Sequence, residues 1–225
     1  MKRWLLSRGA VCSLLAIVLL ATGGCLEWLT PSPPDPGNGQ EPQPGAISFF
    51  DDFQDGVSAG FGLSSGTWEV IGGELHPLTK EASAHVVDGE NWTDYEVSAD
   101  FRYDDLENLS HSSERGLVVR AVGQRKVVFW GSDERMWFEE YHPDHCQYGA
   151  RMGNSVTQPL PLVCNVRVHV AGNRFQAYVN GVLILEVEDI NNRYPAGTAG
   201  IEVDAYWLDD AERSFFDNFR VTALD

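Results

Sequence analysis

Apolar and polar residues alternate one by one along much of the chain beyond residue 46, which is the period of a half-buried β-strand. In Thr93–Tyr103 apolar and aromatic side chains occupy one face, and charged or polar side chains occupy the other. Val166–Val170 and Phe175–Val179 alternate in the same way, and Asn180-Gly181 joins the second of these to Val182–Val187. Asn-Gly between two such runs predicts a tight β-hairpin, because both turn residues need a positive φ.

Further short segments with strand character fill the rest of this region, and Gly, Asn, Asp and Pro separate them. No long amphipathic helix is evident between them. Many short strands without helical crossovers predict an all-β fold, an antiparallel two-sheet β-sandwich of jelly-roll type. The additional predicted strands are Ile47–Phe53, Thr67–Ile71, Glu74–Leu78, His85–Val87, Gly116–Val122, Lys126–Trp130, Met136–Tyr141, Thr198–Ala205 and Ser214–Thr222.

The first 24 residues have the pattern of a secretory signal peptide. Basic residues at Lys2, Arg3 and Arg8 precede the uncharged stretch Gly9–Gly24, which is apolar at its centre and ends in small residues. Its apolar part is short for a membrane span, which needs about 20 residues. We therefore expect residues 1–24 to direct export, and no later segment to cross a bilayer.

The end of this signal, Ala21–Cys25, resembles a lipobox, the cleavage site of bacterial lipoproteins. Small residues precede the scissile bond, and the Cys25 thiol would take the diacylglyceryl group. Thr22 departs from the pattern, since Leu is usual there. The resemblance implies an acylated, palmitate-bearing lipoprotein in the cell envelope, held on a membrane through this anchor and facing the periplasm or the exterior. The alternative is an ordinary signal peptide with a chance cysteine near its end.

Composition divides the mature chain into a spacer and one domain. Residues 25–46 contain the anchor and a linker in which six of the chain's eleven prolines lie between Pro31 and Pro44. Such a segment stays solvated and extended. Residues 47–225 are then a single domain, a suitable length for a β-sandwich.

The domain is strongly acidic. Loss of the three basic residues of the signal peptide takes the formal charge from −17 to −20. This charge excludes nucleic acid as a partner, because its binders need basic patches. Solubility is one interpretation of the charge, and carboxylates that bind Ca²⁺ are another.

Two cysteines remain in the domain after export and lipidation, Cys146 and Cys164. An even pair in an exported domain predicts a disulfide. Metal binding is the alternative, because His142 and His145 lie close to Cys146. Structural zinc sites need about four ligands, which weighs against it.

Six short motifs follow one another along the domain: Phe50–Phe53, Gly66–Leu75, Asp94–Val97, Gly116–Arg120, Phe175–Gly181 and Phe215–Val221. In this order they resemble the concanavalin A-like lectin/glucanase superfamily, and most closely its laminin G-like and 3-keto-disaccharide hydrolase-like (DUF1080-like) domains. The resemblance covers nearly all of residues 47–224 and implies a lectin-like jelly roll. It says little about activity, because this fold hosts lectins, hydrolases, lyases and inert modules.

Catalytic signatures are largely missing. Retaining glycosidases need two carboxylates about 5 Å apart, and glucanases of this superfamily carry Glu-x-Asp-x-x-Glu on one strand. Glu202 and Asp204 share a strand face here, but no third acid follows in register. Glu139 and Glu140 point to opposite faces. We interpret both pairs as solvated acids and predict no catalytic residue.

The segment Phe129–His142 is dense in aromatic and polar groups that suit a sugar site. The opposing interpretation places Trp130 and Phe138 in the core, as is usual for aromatics of a sandwich. Trp137 lies on the face opposite Phe138, and is the better candidate for a stacking plate. The predicted ligand-binding residues are Arg120, Trp130, Trp137, Glu139 and Tyr141.

A structural Ca²⁺ is predicted where the first and last strands meet, as related domains often bind it there. Asp51 or Asp52, with Asp217, would supply carboxylates, and backbone carbonyls would complete the six to eight oxygens. The alternative is that these residues bond backbone N–H groups at strand ends.

Three functions remain open. The first is a non-catalytic module that binds carbohydrate or a cell-envelope partner. The second is a glycoside hydrolase or lyase acting on an extracellular saccharide, and the third is a structural envelope protein. The missing acid triplet and the tethered single-domain design favour the first.

Overall fold

The computed structural model describes residues 47–104, 113–206 and 208–224. The predicted signal peptide, the anchor Cys25 and the linker lie outside the described residues. Across the described ranges, no helix has the length and apolar character needed to cross a bilayer.

Short strands make up most of the described chain, with one helical turn. The strands are β1 (Ile47–Asp51), β2 (Phe61–Ser65), β3 (Trp68–Ile71), β4 (Glu74–Pro77), β5 (Glu81–Val86), β6 (Tyr95–Tyr103), β7 (Ser113–Val122), β8 (Arg125–Gly131), β9 (Met136–His142), β10 (Cys146–Val156), β11 (Val163–Ala171), β12 (Arg174–Val179), β13 (Val182–Glu188), β14 (Thr198–Ala205) and β15 (Ser214–Ala223), and the helical turn is α1 (Leu208–Ala211).

These strands form two antiparallel sheets, as predicted. The first sheet has eight strands in the order β13-β12-β11-β6-β15-β4-β3, with β1 paired to β15. The second has seven strands in the order β10-β9-β8-β7-β14-β5-β2. The predicted all-β sandwich of jelly-roll type is therefore confirmed.

The core lies between the sheets and follows the predicted alternation. On β6, Tyr95, Val97, Ala99 and Phe101 are buried, while the residues between them are half-buried. Phe175 and other inward residues of the neighbouring strands join them in one continuous cluster. Removing this apolar surface from water is the main driving force for the sandwich.

The Asn180-Gly181 hairpin is also confirmed. Both residues have positive φ, 49° and 79°, and Val179 pairs with Val182 across the turn. A two-residue turn of this kind matches the twist of the strands it connects.

Two strands were not predicted, β2 and the eleven-residue β10. In β10, Gly149 and Gly153 have φ of 83° and 65°, and the register with β9 shifts twice. Such irregularities break the period of two, so the sequence of this strand looks like a loop. β10 forms one edge of the second sheet, and its position matters for the site described below.

The predicted disulfide is wrong, because Cys146 and Cys164 are both free thiols. Cys164 lies near Arg115 at one end of β7. Cys146 lies beside the Tyr194 side chain, and the Tyr194 carbonyl accepts a hydrogen bond from Arg120 near the other end of the strand. Cys164 lies on β11 of the first sheet, where it pairs with Phe101, whereas Cys146 begins β10 at the edge of the second sheet.

The zinc alternative gains no support either. The rings of His142 and His145 stack with centroids 4.8 Å apart. In the parts of the chain that the structure describes, no group of three His, Cys, Asp or Glu side chains is arranged to hold a metal ion.

Candidate functional site on the outer face of the second sheet

The second sheet buries one face in the core and carries a second set of side chains on its outer face. Cross-strand pairing places Ser83, Glu202, Gly116, Trp130 and Trp137 in one row across five strands, from β5 to β9. Alternate residues of a strand face the same side. The residues two positions before and after each of these therefore also lie on the outer face. We call this surface, defined by Ser83, His85, Glu114, Lys126, Trp130, Trp137, Glu139, Tyr141, Arg151, Glu202 and Asp204, the outer-face site.

The two tryptophans form a small second core on this face. Trp130 is 1% exposed and Trp137 is 3% exposed, and they pack with Val118, Val128 and Tyr141. The Trp130 ring lies against Gly116, where an added Cβ would be 2.8 Å from its Cε3 atom. The prediction of Trp137 as an open stacking plate is therefore wrong, although its assignment to the outer face is right.

Arginine side chains account for the burial of Trp137. The Arg135 guanidinium lies 5.0 Å from the Trp137 ring centroid, and that of Arg151 lies 5.7 Å from it. The indole Nε1 donates a hydrogen bond of 3.0 Å to Glu139 Oε2. The indole is thus held by Glu139 at its edge and lies close to two long, flexible cations.

An acid cluster lies next to the tryptophans. Glu114 on β7 pairs directly with Asp204 on β14, and Glu202 lies two residues before Asp204 on the same face. Burial raises the pKa of Glu114 to about 7, with contributions from Asp204 and Glu139. Burial also raises the pKa of Asp204, and the carboxylates of Glu81 and Glu139 add to this effect.

Lys126 neutralises the most buried of these acids. Its Nζ donates to both carboxylate oxygens of Glu202 at 2.6 Å, and it lies 4.7 Å from the Tyr141 ring centroid. Burial raises the pKa of Glu202, and Lys126 opposes this shift. Burial, together with Lys126, lowers the pKa of His85 to about 4, so its ring is neutral at pH 7.

This arrangement provides two kinds of chemistry. Carboxylates, a lysine and a neutral imidazole bond the hydroxyl groups of a polar ligand, while aromatic rings accept its apolar faces. A carboxyl with a pKa near 7, such as Glu114, also has the property required of a general acid.

Four of the five predicted ligand-binding residues come together here. Trp130, Trp137, Glu139 and Tyr141 lie on adjacent positions of β8 and β9 on the same face. Their grouping was predictable from alternation along β9, but their burial was not.

Arg120 does not lie with these four residues on the outer face, and its role in ligand binding stays a prediction. It has a φ of 53° within a β-bulge of β7, which interrupts the alternation. Its guanidinium is 1% exposed and donates to the carbonyls of Tyr194, Thr93 and Gly172. Arg120 therefore joins segments at one end of the sandwich and is occupied by backbone acceptors.

The acid cluster was missed or misinterpreted in the sequence. Glu202 and Asp204 were interpreted as solvated acids, whereas Glu202 is mostly buried against Lys126. Glu114 precedes the predicted start of its strand, so no face was assigned to it. No sequence signal was available, because the burial of Glu202 follows from the central position of β14, which has partner strands on both sides.

The predicted calcium residues lie where the chain ends meet. β1 pairs with β15, and burial raises the pKa of Asp51 to about 6 with contributions from Asp52 and Asp217. Each carboxylate also accepts a backbone N–H, from Phe53, Gln54 and Asn218 respectively. These bonds match the alternative interpretation. In the described ranges, no three His, Cys, Asp or Glu side chains are grouped so that they could hold a metal ion. Calcium binding at this position stays a prediction.

No protein-family model matches the chain, and no curated protein is similar to it at the level searched. Its fold is similar to that of several solved structures. The carbohydrate-binding module CBM66 from Bacillus subtilis has a TM-score of 0.57 at 13% identity, over 73% of this chain and 96% of that one. A Bacillus subtilis protein with a galectin-like fold has a TM-score of 0.59 at 12% identity, over 81% and 99% of the two chains.

An enzyme is among the similar structures as well. A Bacillus licheniformis β-glucanase has a TM-score of 0.52 at 10% identity, over 81% of this chain and all of that one. Identities this low establish the fold alone. That fold is the two-sheet jelly-roll β-sandwich, which these structures share with the chain.

Proposed function

We propose that the chain is a carbohydrate-binding module whose binding surface is the outer-face site. The observation that carries the proposal is the row of Trp130 and Trp137 beside Glu139, Tyr141 and the Lys126–Glu202 pair on one sheet face. Aromatic rings next to ionised hydrogen-bonding groups are the usual composition of sites for polar ligands with apolar faces. The names of similar structures, which include a carbohydrate-binding module, agree with this proposal.

Tyr141→Ala should weaken glycan binding about tenfold or more, because it removes a half-buried ring from the site. The measurement is affinity of the full chain, purified in detergent, for the best ligand of a broad glycan panel. The matched control is Tyr178→Ala, on the outer face of the first sheet. Tyr178 is also half-buried, and Arg167 lies 4.4 Å from its ring centroid.

Equal losses in the two variants would contradict the outer-face site. Absence of wild-type binding across the panel would contradict carbohydrate binding and favour a structural role in the envelope.

A second candidate function is hydrolysis or lysis of a glycan. The observation that favours it is the convergence of Glu114, Glu202 and Asp204, whose pKa values are all raised. Two carboxyl groups whose environments separate their pKa values are the usual basis of acid–base assignments in glycosidases.

If the chain cleaves glycans, Glu114→Gln should abolish the release of reducing ends from the bound ligand, because the amide cannot donate a proton as a carboxylic acid does. Glycan binding should remain, since the amide preserves size and hydrogen bonding. Glu81→Gln, an exposed acid near Asp204, is the control. Wild-type protein that binds a glycan without releasing reducing ends would exclude this second function for that glycan.

We also propose that the module is exported and lipid-anchored through Cys25. Support comes from the order of basic residues, apolar stretch, small residues and cysteine in the first 25 residues. Mass spectrometry of the mature N-terminus tests this, because an unmodified Cys25 or an uncleaved leader would contradict it.

A further inference from the structure

Among the described arginines that form no ion pair within 4 Å, Arg135 and Arg151 lie together beside Trp137. Acidic residues outnumber Lys and Arg by 33 to 16, and Arg102, Arg167, Arg174 and Arg193 all form ion pairs within 4 Å. Considering the described residues only, neither Arg135 nor Arg151 has a carboxylate within that distance. Arg151 is exposed and Arg135 is half-buried, so an unpaired cation pair lies at one edge of the outer-face site.

Both cations lie beside the same aromatic ring of the outer-face site. They lie 5.0 and 5.7 Å from the Trp137 centroid, and Arg151 makes one long hydrogen bond, 3.5 Å to Ser155 Oγ. Arginine side chains have a planar fork of donors that matches a carboxylate in two-point contact. Cation–π contacts near the protein surface are weaker than a two-point bond to a carboxylate, so a carboxylate ligand can draw these guanidiniums away from the ring.

We propose that Arg135 and Arg151 bind the carboxylate of an acidic saccharide whose ring then lies over Trp137. This inference rests on the proposed carbohydrate-binding function and assigns the ligand class as a uronate-containing polysaccharide. None of the described Asp or Glu side chains lies within 4 Å of these arginines. The ligand would supply the carboxylate partner that they lack. The same movement uncovers the indole face for the apolar side of the sugar.

The nearby carboxylates do not prevent this binding at mildly acidic pH. Glu114 interacts with both arginines, and also with Asp204 and Glu139. Its pKa of about 7 leaves it largely uncharged at pH 6, while a uronate, with an ordinary carboxyl pKa of about 3.5, stays ionised. Glu139 directs one oxygen to the Trp137 Nε1, and Lys126 neutralises Glu202.

The test compares polygalacturonate with its fully methyl-esterified form, in which each carboxylate is replaced by a neutral methyl ester, at pH 6. The full chain in detergent should bind polygalacturonate about tenfold more tightly than the ester. Arg135→Gln/Arg151→Gln should lose that preference and bind the two polymers with equal affinity. Arg125→Gln, which removes the same charge from an exposed arginine, should bind as wild type does. Attraction by net charge cannot imitate the result, because the protein itself is strongly negative.

Each result decides a different point. Equal affinity for the two polymers, or a double variant that still prefers polygalacturonate, would overturn the assignment of the arginines. Binding to neutral glycans alone would overturn the acidic ligand class and leave the carbohydrate-binding function intact. Binding to no saccharide would overturn both. Thermal melting of each variant confirms that it is folded before its affinity is compared.

Discussion

Arg120→Met should lower the free energy of unfolding by about 3–5 kcal/mol, although it replaces a residue far from the outer-face site. The Arg120 guanidinium donates 2.6 Å to the carbonyl of Tyr194, 2.9 Å to that of Gly172, and also to that of Thr93. Methionine fills much of the same volume but donates nothing, so the carbonyls of buried Tyr194, half-buried Thr93 and exposed Gly172 all lose this donor. Hydrogen bonds from a charged donor contribute about 1.5–3 kcal/mol each and do not add fully.

Urea unfolding followed by tryptophan fluorescence measures this effect. The control is Arg174→Met, because Arg174 is 60% exposed and pairs with Glu186 across an exposed hairpin. Exposed ion pairs contribute about 0–1 kcal/mol, so the control should unfold close to wild type. An Arg120→Met protein as stable as the control would show that water replaces the guanidinium at no cost, and that Arg120 does not hold the end of the sandwich together.

Arg120→Lys distinguishes charge from geometry at the same position. An ammonium group keeps the positive charge but cannot reach three divergent carbonyls with the planar fork of a guanidinium. We therefore expect lysine to recover only part of the stability.

The misplacement of Arg120 shows where sequence periodicity fails. Alternation assigns faces correctly along β6, because its pairing with β11 runs without a shift from Val163 to Val170. At Arg120 a positive φ inserts a bulge, and the side chain turns away from the face that counting residues assigns to it. The sequence around Arg120 does not predict this bulge, because the position with positive φ is not a glycine.

The burial of Trp137 could not be predicted for a different reason. Alternation along β9 correctly separates Trp137, Glu139 and Tyr141 from Phe138. The exposure of Trp137, however, depends on the side chains of the adjacent strand, which can cover its ring. That strand is β10, whose two positive-φ glycines hide its period, and it supplies Arg151. Missing one edge strand made a covered ring look open.

The carboxylates illustrate a third limit. The sequence shows that Glu202 and Asp204 share a face, but their pKa values depend on Glu114 and Lys126, which pairing between non-adjacent strands brings near them. A pair of solvated acids and a buried acid cluster have the same local sequence. Only the order of strands in the sheet distinguishes them.

Trp130→Ala should also lower the free energy of unfolding by about 3–5 kcal/mol, the usual cost of removing a buried large aromatic side chain. Trp130 lies on the outer face yet is only 1% exposed, and it packs against Val118, Val128 and Trp137. Its removal would leave a cavity above Gly116, where no side chain is available to fill it. The sheet would therefore lose much of the packing on this face, and the position of Trp137 with it.

Trp130→Phe is the matched control, since a smaller ring keeps most of the contacts and should cost clearly less. Chemical unfolding of the three proteins gives the order wild type, Trp130→Phe and Trp130→Ala in decreasing stability. If Trp130→Ala were as stable as wild type, the tryptophans would be acting as an adaptable surface and not as a second core. A large loss would instead mean that the tryptophan part of the outer-face site is preorganised, because the packing that fixes Trp130 also fixes Trp137 and, through its Nε1, Glu139. Preorganisation reduces the entropy lost on binding, so the stability of this small cluster and the affinity of the site should fall together when Trp130 is replaced.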